Sequence, residues 1–450
     1  MKRKYSLVVW LLISLFAIKI TLNLDPWNRK PIIDQDVIFY YGYLPATFIY
    51  HDWSFTFPDS PGFTGKVWSL PLPNNGRIQK MSMGLAMLYA PFFGIAHIYT
   101  LLTGGVANGY SPNYHIALVW AGLFYYILGL FLVRSILSGY FADSIVAISI
   151  LVIGIGTNLF NYAIWEGAMS HVYSFSLFAF VFFLFLSWMK SPGWVKTFAL
   201  GLSAGLIVLI RPTNLFFVVF LALLFFFQQR TMVEKRKFLI DLKWKWLLLF
   251  GGAFLIWLPQ FVYWKLNTGY WLYYSYLGEP FYFNHPNIIN GLFSYRKGWL
   301  IYTPAMGLAL IGIFALRKNL KFFLWPTLIS LLLVVYVTYS WWCWWYGGSF
   351  GSRPMIEFYV MLSVPLAAFL TWISHQRIVF KIATASLLVF FIWLNIFQTN
   401  QYRSSLLHYD SMSKRAYWAI WGSTDWPKNY PELIIPTDAD KARRGETEYP

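Results

Sequence analysis

Asp34 and Asp36 stand one residue apart, with Asp52 a short way on, in the stretch 32–53, IIDQDVIFYYGYLPATFIYHDW. Only 12% of the 450 residues are charged, so two neighbouring acids directly after a long apolar run are conspicuous. Cations recur further along: Lys80, Arg211, Arg296 beside Lys297, and Arg353 at the end of YGGSFGSR, 346–353. A carboxylate faced by several cations at a membrane surface suits one kind of chemistry. The acid takes the proton of an acceptor hydroxyl, and the cations hold a departing lipid phosphate as its negative charge grows. Asp34 and Asp36 also have a plainer use, solvating a loop or capping a helix that starts near Val37. Spacing alone does not separate the two uses.

Other polar residues carry paired readings. Glu166 and His171 could share a metal, but their separation does not put them on one clean helical face, and a packed histidine is the alternative. Asp52 is a further substrate or metal candidate. Glu279 and His285 either contact an acceptor or solvate their loop. Trp341, Trp342, Trp344, Trp345 and Tyr346 fit an aromatic belt at the membrane interface, with stacking on a sugar ring or prenyl chain as the sharper use. Cys343 is the single cysteine, which excludes an internal disulfide and a cysteine-rich metal cluster.

The elements that must position these residues are membrane helices. Hydrophobic residues make up 58% of the chain, aromatics 22%, and the mean hydropathy is +0.52. Repeated apolar runs with charges confined to the joints define an all-α polytopic membrane protein. The net charge of +17 lies mostly in short loops beside apolar segments, so topology accounts for it and a nucleic-acid partner is not expected. Lys2, Arg3 and Lys4 hold the N-terminus in the cytoplasm, and 5–22 is an uncleaved first span. The first external loop then runs over 23–114, with Pro- and Gly-rich punctuation including Pro73-Asn74-Asn75-Gly76.

Charge parity shapes the rest. Arg134, Lys190 with Lys196, and the cluster from Arg230 to Lys245 are cytoplasmic only if the apolar stretch 81–103 does not cross. Pro91 is expected to break a helix there, and 81–103 is placed as helices lying at the outer interface. Spans are expected at 115–137, 142–160 and 168–189. The run 197–227 would be about 46 Å long as one helix, so it is read as a hairpin with its apex at Ile210-Arg211-Pro212-Thr213. Arg211 then faces a buried anion or snorkels to lipid phosphate. Spans at 246–264, 299–316, 322–340, 357–374 and 378–397 complete eleven. A membrane domain over 1–397 and a small external region over 398–450 follow.

Four pieces of sequence resemble the C-type glycosyltransferases, the superfamily of protein O-mannosyltransferases and lipid A aminoarabinose transferases. The first is Asp36-Val37-Ile38-Phe39-Tyr40, with His51-Asp52-Trp53 downstream. The second is Lys80-Met81-Ser82-Met83-Gly84 ahead of Tyr89-Ala90-Pro91-Phe92-Phe93. The third is Leu209-Ile210-Arg211-Pro212. The last is Gly298-Trp299-Leu300-Ile301-Tyr302-Thr303-Pro304, followed by 345–353. The resemblance covers residues 1 to about 400 in the family's order and implies non-crossing helices after the first loop. It also implies an outward-facing cavity, a polyprenyl-phosphate-linked sugar donor, inversion at the anomeric carbon, and Asp36 as base. Val37 stands where the family often has a second acid, so Asp34 is either the missing partner or the base itself. His171 stands where relatives often place an acid, which leaves participation of Mg²⁺ or Mn²⁺ open.

The expected function is transfer of a sugar from a polyprenyl-phosphate donor to protein, lipid A or another glycan on the outer face of a bacterial inner membrane. Asp36 and Asp34 would be catalytic, and Lys80, Arg211, Arg296 and Arg353 would bind the donor phosphate. Two alternatives are a lipid-linked glycan ligase or polymerase, and a lipid or glycan flippase. Flippases usually show paired repeats and charges near the bilayer midplane, whereas these charges collect at one interface.

Overall fold

In lipid a backbone must satisfy its own N–H and C=O groups, and the apolar runs do so as helices. The computed structural model describes residues 4–72, 76–228 and 231–446. Lys2, Arg3, Pro73 to Asn75 and Arg230, used above, lie outside the described residues. The elements used below are α1 (Lys4–Leu24), α2 (Asp36–Tyr41), α3 (Gly84–Leu102), α4 (Pro112–Leu137), α5 (Asp143–Ile155) and α6 (Leu159–Ile164). They continue with α7 (Ser170–Lys190), α8 (Trp194–Ile210), α9 (Leu215–Phe227) and α10 (Lys245–Thr268). The last are α11 (Ala305–Asn319), α12 (Lys321–Ser340), α13 (Tyr359–Ser374), α14 (Ile378–Arg403) and the short α15 (Ala439–Arg443). The described sheet is one antiparallel ribbon, Leu70–Pro71 with Arg77–Ile78.

Among the described residues, seven helices are long and apolar enough to cross a bilayer, and α5, α8, α9 and α13 are shorter apolar helices. The chain is a multi-pass membrane protein. In α10 and α14 only 17% of the most apolar window is buried, so their hydrophobic faces need lipid to cover them. Within the bundle α4 packs on α7, α8 on α10 and α7, α9 on α12, and α11 on α13. Gly312 makes the last contact possible: a Cβ there would lie 1.9 Å from the Pro365 carbonyl oxygen.

Two expectations need correction and a third needs refinement. Pro91 does not break its segment, because α3 runs through it. Proline leaves the Met87 carbonyl without its helical donor, and at the adjacent Leu88 carbonyl the Tyr125 hydroxyl of α4 donates at 3.2 Å. The run 142–160 is not one helix. It divides at Gly156-Thr157-Asn158 into α5 and α6, where the Asn158 side chain bonds a distant loop instead of helix backbone. The run 197–227 does break at Arg211-Pro212, but its arms splay toward different neighbours, α10 for one and α12 for the other.

Both ends of α3 meet the first loop. Met81, just before it, accepts a hydrogen bond from the Tyr43 hydroxyl at 2.8 Å. Beyond its other end, the Asn108 carbonyl accepts from Tyr50 at 3.1 Å and Gly109 accepts from Tyr41.

Candidate functional site

Asp36 opens α2, and its Oδ2 receives a hydrogen bond from Arg353 Nη2 at 2.9 Å. Gln35, between the two acids, holds φ +48°, a backbone conformation that costs energy for a residue with a side chain. The acids therefore diverge: Asp36 turns to Arg353, while Asp34 pairs with Lys66.

Arg353 is positioned by a loop fixed from several sides. Asn158 Nδ2 donates to the Phe350 carbonyl at 3.1 Å, and the Phe350 amide donates to the Tyr162 hydroxyl at 3.2 Å. The Ser349 amide donates to the Tyr409 carbonyl at 3.0 Å, and Lys297 Nζ donates to the Ser349 carbonyl. Tyr339 and Ser352 share a 2.8 Å hydrogen bond. Gly351 has φ +61°, and a Cβ there would lie 2.8 Å from Tyr302 Cβ, so the turn needs glycine twice over. The break between α5 and α6 thus has a purpose, since it supplies the Asn158 and Tyr162 that hold this loop.

Next to this pair is a second cluster, in which His171 and Glu357 are fully buried and Arg211 is partly exposed. His171 Nδ1 lies 3.0 Å from Glu357 Oε2, and Arg211 Nη1 lies 3.5 Å from Glu357 Oε1. Arg211 also lies 3.4 Å from His171 Nδ1 and 6.0 Å from the centre of the Tyr346 ring. The buried anion wanted by Arg211 is Glu357. Tyr40 on α2 is near enough to feel Arg211, Asp36 and Arg353, and burial raises its hydroxyl above the ordinary range.

The remaining predicted residues divide. Glu166 accepts a 3.0 Å hydrogen bond from the Tyr402 hydroxyl and, with Asp34 and Arg353, lines a cavity of about 200 Å³. Its partner is therefore not His171. Asp52 accepts from the Thr56 and Phe57 amides at 2.7 and 2.8 Å and from the Ser54 amide at 2.8 Å. Burial would raise this carboxyl, but hydrogen bonds from the Ser54 and Thr56 hydroxyls, and then from the Phe57 and Thr56 amides, bring it below the usual range. Asp52 holds its own loop together and faces none of the predicted cations. Lys80 pairs with Glu279, which answers the loop-solvation reading of Glu279. Arg296 Nη1 donates to the Asp410 carbonyl at 2.9 Å and lies 5.8 Å from the Trp345 ring centre.

The tryptophans are not an exposed belt. Trp342, Trp344 and Trp345 are buried with Ala442 of α15, and Arg443 lies 4.8 Å from the Trp342 ring centre. A single segment after the last long helix outcompetes lipid for these rings.

Glu357, Tyr402 and Asp410 were not picked out from the sequence, and Lys297 was noted only as a neighbour of Arg296. Glu357 was legible only as the head of an apolar run in a chain with few acids. Burial pushes the Lys297 ammonium down to about 7 against the pull of Asp410 and Glu166. Among the described residues, no group of three or more His, Cys, Asp and Glu side chains could hold a metal ion. Asp34, Asp36 and His171 are taken by Lys66, Arg353 and Glu357, so the residues present do not fit Mg²⁺ or Mn²⁺.

The fold that carries this cluster is the C-type glycosyltransferase fold. It is similar to solved structures of the Archaeoglobus fulgidus oligosaccharyltransferase. The apo form matches at 14% identity and TM-score 0.52, with 98% of this chain on 61% of that chain. The archaeal enzyme AglB with an inhibitory peptide and a dolichol-phosphate matches at 15% and 0.55, covering 97% and 60%. The form tethered to an acceptor peptide containing the NVT sequon matches at 14% and 0.53, covering 100% and 60%. The chain thus spans about three fifths of the length of these structures. At such identities the likeness establishes the fold. No family model and no curated protein matches the sequence.

Proposed function

We propose that the chain is an integral-membrane glycosyltransferase that moves a sugar from a polyprenyl-phosphate carrier to an acceptor hydroxyl. The observation that carries this reading is the Asp36–Arg353 ion pair beside the Arg211–Glu357–His171 cluster. Two acids, two arginines and a histidine meet where α2 lies against the bundle. In the reaction the acceptor oxygen forms a bond to the anomeric carbon as the bond from that carbon to the phosphate oxygen breaks. Asp36 takes the hydroxyl proton, and the polyprenyl phosphate leaves with the electron pair. Arg353 has two roles open to it, Asp36 or phosphate. A donor phosphate that draws Arg353 across leaves the Asp36 oxygen free for the acceptor, and Arg211 adds a second charge. Lys80 and Arg296 complete the phosphate set proposed from the sequence, each after exchanging its present partner.

The fold neighbours, one solved with a dolichol-phosphate and one with an acceptor peptide, support a lipid-linked donor and favour protein over lipid A or glycan as acceptor. The site would face the periplasm of a bacterial inner membrane. α3 is long and apolar enough to cross, but the contacts of Met81 before it and Asn108 after it with Tyr43 and Tyr50 support a helix that lies along that face. Residues 1–397 would form the membrane domain, with 398–450 external.

Mass spectrometry of envelope glycans and glycoproteins, from cells with and without the protein, tests the reaction. Loss of one sugar from one acceptor is expected, and an unchanged envelope would refute it. For topology, Val106→Cys in a Cys343→Ser background is expected to label from outside intact cells. Labelling only after permeabilisation would make α3 a true span.

A further inference from the structure

The end of the bundle away from Asp36 carries a second concavity. Helices α11 and α13 both begin near the site, after Lys297 and Glu357, and run in the same direction. Their far ends lie about 22 Å away along the helix axis. They touch backbone to backbone at Gly312 and Pro365, and beyond that contact a groove of about 640 Å³ opens between them. This is the size of a small-molecule site, about 300–1,000 Å³. Its walls include Phe314, Phe369 and Trp372, and its rim carries Arg317, Lys318 and His375.

Phe314 and Trp372 are 64% and 50% exposed, so the groove lacks a protein cover. The rim is also uncompensated. Among the described residues, Arg317, Lys318 and His375 have no carboxylate within ion-pair distance. Arg317 lies 5.2 Å from the Phe314 ring centre, which keeps its charge over the groove mouth. Compensation of the α11 dipole explains basic residues in a last turn. The same holds for His375 at the end of α13, but neither dipole explains the apolar hollow between them.

We infer that this groove binds one anionic glycerophospholipid of the bilayer. Its phosphate would sit among Arg317, Lys318 and His375, with an acyl chain along Phe314 and Trp372. The charge of the rim selects an anion, and the exposed apolar walls beside it select a headgroup with a tail. The inference does not depend on sugar transfer, since it concerns other residues at the other end of the molecule.

The test is native mass spectrometry of the full chain in detergent with equal phosphatidylglycerol and phosphatidylcholine. Phosphatidylglycerol is expected to be retained about tenfold better, and Arg317→Gln with Lys318→Gln should abolish the preference. Arg317→Lys with Lys318→Arg should keep it. Equal retention of the two lipids, or an unaltered preference in the double Gln variant, overturns the proposal. Displacement of phosphatidylglycerol by an equal concentration of polyprenyl phosphate overturns the commitment to a bilayer lipid. If the double Gln variant does not fold, Ala315→Phe fills the groove and leaves the rim intact. That variant is expected to lose phosphatidylglycerol, and full retention would refute the site.

Discussion

Asp36 and Asp52 belong to the same external loop, yet they are used in opposite ways. Asp52 takes every described hydrogen bond from residues no more than five positions away, and its loop would hold this shape almost anywhere. Asp36 reaches an arginine 317 positions further along the chain. A carboxylate with local partners stabilises a turn. A carboxylate whose only described partner comes from the far end of the chain ties two halves of a molecule at one point, and an incoming anion can compete for that partner.

The largest expected effect lies on the Asp36 side. Asp36→Asn should lower transfer about 10²–10⁴-fold at normal protein levels, measured with a synthetic polyprenyl-phosphate sugar. If Asp34→Asn does this and Asp36→Asn does not, the base is the acid paired with Lys66. Next, Arg353→Ala and Arg211→Ala should each cost about 10²–10³-fold in kcat/KM for the donor. Undiminished donor turnover in both would remove the phosphate assignment.

Asp52→Asn sharpens the contrast, because it should leave kcat intact and lower stability by about 1–2 kcal/mol. The carboxyl of Asp52 is depressed in the folded protein. Its contribution is therefore present above the ordinary value near 3.9 and is lost as pH falls through the lower folded value. A Tm series in detergent should show a gentler acid decline in the variant. The smallest effect concerns Lys297, lowered to about 7 in the fold. Between there and its ordinary value near 10.4, the unfolded chain holds a proton that the folded one has shed, so stability rises with pH. Lys297→Gln should flatten that rise, and an unchanged slope would mean that the ammonium is solvated.

These contrasts mark how much could be read from sequence. Asp36, Arg211 and Arg353 were visible one by one, because a charge in so apolar a chain is rare. The helices were legible for the same reason, down to the break at Arg211-Pro212. Pairing was not legible. Nothing in local pattern links Asp36 to Arg353, Lys80 to Glu279 or His171 to Glu357, since these contacts depend on how helices are arranged around one another. Composition also misled at Trp341 to Trp345. Periodicity and hydropathy describe what a ring prefers, but not whether lipid or a later segment of the same chain reaches it first. Asp52 shows the converse limit, an acid within a matching motif whose bonds turn out to be structural.

Tyr402 and Asp410 come after the last long helix has begun to end, yet one holds Glu166 and the other's backbone holds Arg296. During synthesis Glu166 and Arg296 must wait for these partners until the chain has been made past residue 410. An insertion placed close behind Asp410 would therefore disturb contacts made by residues more than a hundred positions upstream.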